Sequence, residues 1–192
     1  MDTVEKWLLP VNFMQTMSTT QIERLFEEAE GYLELELPAP ALVALNKISE
    51  DVREERAFVY NSLYGEALRI LKQYDGAAPY FAQAIDERPK EVGIYINLGW
   101  CLKRSGRLDD AIATLRAAEK VCRKSNDMRS LALVLYNLSC YYSLADDKEQ
   151  MLSCLRSALT LTPAFKSGIA DESDFDPWRD DEDFKSITSA KS

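Results

Sequence analysis

Two stretches of this chain, thirty-four positions apart, carry the same residue types in the same order, and a sequence that repeats at such a period folds by stacking small units on one another. Gly65, Leu68, Ala77, Phe81 and Ala84 stand under Gly99, Leu102, Ala111, Leu115 and Ala118. From Val92 to Glu119 the apolar residues Tyr95, Leu98 and Leu102, and then Ala111, Leu115 and Ala118, fall at helical spacing in two runs parted by Ser105 and Gly106. That spacing predicts a helical hairpin. A further copy over Ala132 to Phe165 holds Leu138, Ser139, Tyr142, Leu155, Ala158 and Pro163, with Met151 where a small residue is expected. A weaker copy over Ile22 to Glu55 holds Ala29, Tyr32, Ala41, Leu45 and Ile48, with Glu28 in the usual leucine place.

The unit resembles the tetratricopeptide repeat (TPR), a helix-turn-helix whose signature runs aromatic, Leu, Gly, Tyr, then Ala, Phe, Ala and a closing Pro. The resemblance implies an all-α fold, a right-handed α-solenoid of stacked hairpins with N- and C-terminal caps. It divides the chain into an apolar arm or cap over 1–19, a repeat domain over 20–165 (repeats 22–57, 58–91, 92–131 and 132–165), and an acidic capping segment and tail over 166–192. The physical content of the signature is close approach: Gly65, Gly99 and Ala111 let two helix backbones near one another while larger side chains interdigitate beside them. No hairpin buries its own face, so each covers its neighbour and the ends need caps.

Composition narrows the function. The formal net charge of -9 speaks against a nucleic-acid partner. Charge is uneven, with eight basic and four acidic residues over Val92 to Leu131, against ten acidic and four basic over Ile22 to Ala57. There is no His, so the commonest general base and metal ligand are both missing. Cys101, Cys122, Cys140 and Cys154 are spaced too widely for a zinc knuckle or redox pair and read as apolar fillers in helices. No glycine-rich phosphate loop occurs either. The expectation is a non-enzymatic protein with no cofactor and no metal. The N-terminus has a short apolar run broken by Pro10 and no basic leader, which predicts neither signal peptide nor membrane span, and a cytoplasmic protein with reduced thiols.

Local signals place the elements. Thr20 with Glu23 reads as a capping box, Pro38 opens the partner helix, Ser49 to Arg56 reads as a charged connector, and Tyr74 to Gly76 reads as a turn before a helix from Ala77. Pro79 then falls in a first helical turn, where a missing N–H is harmless. Asp127 caps an early start to the next helix, so the extra residues Asn126 to Leu131 lengthen helices rather than form a loop. The ending Asp174-Phe175-Asp176-Pro177-Trp178-Arg179-Asp180-Asp181, closing at Phe184, resembles the segment that caps many bacterial TPR proteins.

In TPR proteins the first helices of successive repeats line a concave groove that holds a peptide or partner helix. Carried onto this sequence, the groove comprises Arg69, Ile96, Asn97, Trp100, Lys103, Arg104, Tyr136, Asn137 and Cys140. Spacing supports a second face independently, because Tyr95, Leu98, Gly99 and Leu102 already supply the core stripe of their helix. Trp100 and Tyr136 form an aromatic floor, Arg69, Lys103 and Arg104 a basic rim, and the two Asn amides suit an extended backbone. The competing reading packs Ile96 and Trp100 against the next repeat. The two-carboxylate clamp of chaperone-binding TPR domains is rejected, since its positions hold Ser62, Glu66, Asn97, Leu133 and Asn137 and only Asn97 fits. The resulting expectation is a scaffold or adaptor binding a protein or peptide segment, as monomer or homodimer. Two alternatives stand beside it: an assembly or regulatory module whose groove is filled by its own acidic tail or a second copy, and a chaperone for secreted proteins.

Overall fold

The computed structural model describes residues 17–189 of the chain, so the apolar arm from Trp7 to Phe13 lies outside the described residues. Four helical hairpins follow one another. They pair α1 (Thr19–Glu34) with α2 (Pro38–Asn46), α4 (Ala57–Ile70) with α5 (Tyr74–Glu87), α6 (Val92–Arg104) with α7 (Leu108–Ser125), and α8 (Met128–Leu144) with α9 (Lys148–Leu161). A six-residue helix α3 (Glu50–Glu55) turns the charged connector after α2 into an extra element. Two 3-10 runs, Pro163–Asp171 and Ser173–Trp178, and a final helix α10 (Glu182–Ser189) close the stack. No strand occurs among the described residues.

Each hairpin turns on the same backbone device. The residue at the turn has positive φ: 55° at Glu36, 60° at Lys72, 76° at Gly106 and 58° at Asp146. The next N–H donates back into the helix, from Leu37 to Tyr32 O (2.8 Å), Gln73 to Leu68 O (2.9 Å), Arg107 to Leu102 O (2.9 Å) and Asp147 to Tyr142 O (3.0 Å). This left-handed cap satisfies carbonyls that a helix end leaves orphaned. The four caps are offset from one another by the same intervals as the sequence copies.

The spacing glycines act as the pattern predicts. A Cβ at Gly65 meets the Phe81 ring at 3.0–3.2 Å, and one at Gly99 meets Leu115 at 3.2 and 3.3 Å. Ala77, Ala111, Leu115, Ala118 and Met151 are fully buried. The insertion lengthens helices: α7 has eighteen residues and α8 seventeen, and the Asp127 carboxylate accepts from Ser130 N at 3.0 Å.

Several local expectations are corrected. The first capping box is Ser18 with Gln21, because Gln21 reaches back to the Ser18 N–H at 2.8 Å and the helix starts before Thr20. Helix α5 begins at Tyr74, so Pro79 sits in its second turn; the Asp75 carbonyl it leaves unpaired belongs to an exposed residue and can take water. Tyr32 is 37% exposed, since among the described residues no hairpin precedes α1 and packs beside it.

The apolar interior falls into two clusters. The smaller joins α1, α2 and α4 through Leu25, Phe26, Leu33, Leu45, Ile48 and Tyr60. The larger runs from Ala77 to Phe184 and includes Ile169 and Phe175 of the C-terminal segment. No helix among the described residues is long and apolar enough to cross a membrane.

Candidate functional site

The residues expected to line one groove separate into two sets on the face of the first helices α4, α6 and α8. The first set gathers at the ends of α4 and α6. Trp100 meets Tyr74 edge-on with ring centroids 5.1 Å apart, and the Arg69 and Arg104 guanidiniums lie 5.4 and 5.7 Å from the Trp100 centroid. Arg104 also lies 5.6 Å from Tyr74. Arg69 is tied to Glu66 one turn back, by Nε at 2.7 Å and by Nη2. Glu66 holds the Arg69 proton more firmly than usual by accepting these hydrogen bonds, against the opposing effect of burial. Arg104 is exposed and forms no ion pair with the described residues. Ile96 and Asn97 are half-buried beside them, Ile96 against the main core. Tyr74 was missed in sequence because it was read as turn rather than helix.

The second set lies beneath the C-terminal segment. Lys103 Nζ reaches Asp174 Oδ2 at 2.6 Å, with the two side chains 19% and 13% exposed. The same ammonium stands 5.3 Å from the Tyr141 ring. Ser143 Oγ donates to the Asp174 carbonyl, and Trp178 Nε1 donates to Ser143 O at 3.4 Å. Tyr136 packs on Phe165 at 5.2 Å and edge-on to Phe175 at 6.1 Å. Phe175 is fully buried. Cys140 is buried as well, and its thiol is pushed far above the usual range by burial, then by Glu172 and Asp174. Asn137 spends its amide N–H on Leu133 O of its own helix at 2.9 Å.

Tyr136 and Cys140 therefore hold the chain's own segment, and Lys103 holds its acid. Arg179 ties that segment to itself, donating to the carbonyls of Ile169 (3.3 Å) and Glu172 (3.0 Å). Lys148 anchors its far end through Asp181 at 2.6 Å and Asp183 at 2.8 Å. The described residues leave uncovered the aromatic and cationic shelf of Tyr74, Trp100 and Arg104, with Asn97 alongside.

Comparison with known proteins agrees with the repeat geometry. Residues 64–132 and 132–165 match two sequence profiles described as tetratricopeptide repeat, together more than half of the chain. No curated protein matches. Among solved structures, "Crystal structure of YrrB: a TPR protein with an unusual peptide-binding site" is similar at 21% identity and a TM-score of 0.61, over 76% of this chain and 71% of that one. "Crystal structure of MamA" is similar at 18% identity and a TM-score of 0.64, over 76% and 81%. "MamA 41-end from Desulfovibrio magneticus RS-1" is similar at 18% identity and a TM-score of 0.63, over 74% and 76%. At these identities the solved structures speak for the fold, an all-α right-handed solenoid. With the matched profiles and the four recurrent hairpins, they make this chain a member of the tetratricopeptide repeat family, whose folds serve as scaffolds for protein interaction.

Proposed function

We propose that this protein is a non-enzymatic adaptor that takes an acidic segment of a partner protein on the uncovered part of its first-helix face. The carrying observation is Asp174 on Lys103: the chain's own carboxylate is seated on the basic side of this face. One turn-edge away, Arg104 lies over Trp100 and Tyr74 without an acid partner among the described residues. A half-buried aromatic beside a guanidinium without an acid partner among the described residues is the composition of an interface hot spot, where planar bidentate pairing with a carboxylate adds direction to attraction. Asn97 supplies both a donor and an acceptor to a backbone lying across it. No cofactor enters this reading.

The test is a comparative pulldown from lysate of the source cell with wild type, Arg104→Glu, and Trp100→Ala with Arg104→Glu, each shown equally helical by circular dichroism. A partner held by wild type and lost by both variants supports the site and identifies its ligand. Unchanged partner lists overturn it.

The Asp174 contact favours a second reading, a regulatory module in which the C-terminal segment and a partner compete for this face. Its test is Asp174→Asn in the full chain. Partner capture that rises above wild type supports competition, and unchanged capture reduces the segment to a cap. The monomer and homodimer, and a role as chaperone for secreted proteins, are distinguished by the mass of the particle and the identity of the captured partner.

A further inference from the structure

Asn61 stands thirty-four residues before Tyr95, at the place where the repeat signature asks for an aromatic. In α6 Tyr95 fills that place, 8% exposed, and its hydroxyl donates to Pro89 O at 3.1 Å. In α4 the residue is an amide, 7% exposed, and it makes no hydrogen bond with the described residues. Its amide atoms are not sealed from solvent, so they are free to pair with a ligand that enters beside them. Beside it a cleft of about 500 Å³ opens between α3, the start of α4 and the outer side of α5. The cleft exists because α2 ends after nine residues and the chain turns into the short α3, while a small amide replaces an aromatic at the floor.

The lining is specific in character. Tyr60, Tyr64 and Tyr80 form a row with centroid spacings of 5.5 and 4.5 Å, and Tyr60 and Tyr80 line the cleft. Glu50 and Glu54, one turn apart on α3, stand exposed at its rim, and neither forms an ion pair with the described residues. Among the described residues the cleft's one cation, Arg53, donates to Ile48 O at 2.8 Å and Asn46 O at 3.2 Å and lies 5.0 Å from the Tyr60 ring, so it already occupies Tyr60 and leaves Tyr80 for a ligand. We infer that this cleft binds an arginine-bearing, basic segment of a partner protein, with the guanidinium against Tyr80, donating to the Asn61 side-chain carbonyl oxygen and neutralising Glu50 and Glu54. Planar guanidinium suits all three contacts, since it stacks on aromatic faces and carries several donors in one plane. The site shares no residue with the Arg104 shelf, so the two readings stand or fall separately. Together they describe a scaffold with faces of opposite sign.

The experiment titrates the full chain with a fluorescein-labelled hexapeptide alternating glycine and arginine, and with the corresponding glutamate peptide, by fluorescence anisotropy at physiological salt. The arginine peptide is expected to bind one to one and the glutamate peptide not at all. Asn61→Tyr, which restores the signature aromatic without altering charge, is expected to weaken binding at least tenfold. Glu54→Lys on the rim is expected to weaken it far more than Glu149→Lys, the same charge change on α9. Binding that survives Asn61→Tyr in a folded variant, or that falls equally with Glu54→Lys and Glu149→Lys, marks diffuse attraction to an acidic protein and overturns the proposal. The charge comparison decides the matter even where Asn61→Tyr fails to fold.

Discussion

The hairpin α8/α9 and the hairpin α4/α5 use one repeat to opposite ends. On α8 the first-helix face is covered: Tyr136 and Ser143 meet Phe175, Asp174 and Trp178, Cys140 is buried among the same cluster, and the interior continues into the C-terminal segment. On α4 the equivalent residues Glu66 and Arg69 satisfy each other and leave the face open, while a second opening appears behind it at Asn61. The difference teaches that the repeat sets spacing and packing, whereas the residues left off the core stripe decide whether a face is closed by the chain or kept for another molecule.

The comparison breaks most visibly at Phe175. Phe175→Ala removes a fully buried ring and is expected to cost about 3 to 5 kcal/mol in urea denaturation. It should also expose Cys140, which in wild type is expected to resist a thiol reagent at pH 8 because burial holds its thiol protonated. A loss below about 1 kcal/mol, with Cys140 still unreactive, would mean the segment is an appendage rather than part of the core.

Asp174→Ala leaves Lys103 without its acid in a site where both side chains are largely covered, and the expected loss is about 1 to 3 kcal/mol. The same change at Glu66 should cost less than about 1 kcal/mol, because the Glu66 and Arg69 side chains, 28% and 30% exposed, keep more contact with water. Equal losses would erase the contrast between closed and open faces. At Gly99, substitution by Ala presses a Cβ on Leu115, and an expected loss of about 1 to 2 kcal/mol tests whether Leu115 can yield.

Acid sharpens the picture within the larger core. Burial raises the Glu119 pKa, but hydrogen bonds from Arg116 and Arg123 outweigh it and leave the carboxyl below its ordinary value. A depressed folded pKa contributes stability that is present above the unfolded value, near about 4.3, and is lost as pH falls through the folded one. Glu119→Gln should therefore be less stable than wild type at neutral pH and flatten the acid limb of the stability profile. A limb of unchanged slope would reassign that limb to other carboxylates.

The smallest expected effect is at the turn. Lys72→Gly relieves a left-handed residue that Gly106 occupies freely in the next hairpin, and a gain of up to about 1 kcal/mol is expected, reduced by the extra freedom of glycine in the unfolded chain.

The amino-acid sequence by itself determined the stacking, because period and small residues are local properties: Gly65 under Phe81 and Gly99 under Leu115 follow from spacing along two helices. It also located Trp100 and Arg104 on one face, since helical periodicity separates that face from the core stripe, and the repeat resemblance added Arg69 from the helix before. Only the tertiary structure decided that Lys103 belongs to Asp174, seventy-one residues away, that Tyr136 meets Phe175, and that Cys140 is buried. Asn61 was equally illegible. Its meaning depends on α2 ending early and α3 turning away, so that nothing in the described chain fills the place of the missing aromatic. Periodicity reports which residues a helix turns inward, but what comes to cover the remaining faces depends on contacts between distant segments, which no local pattern encodes.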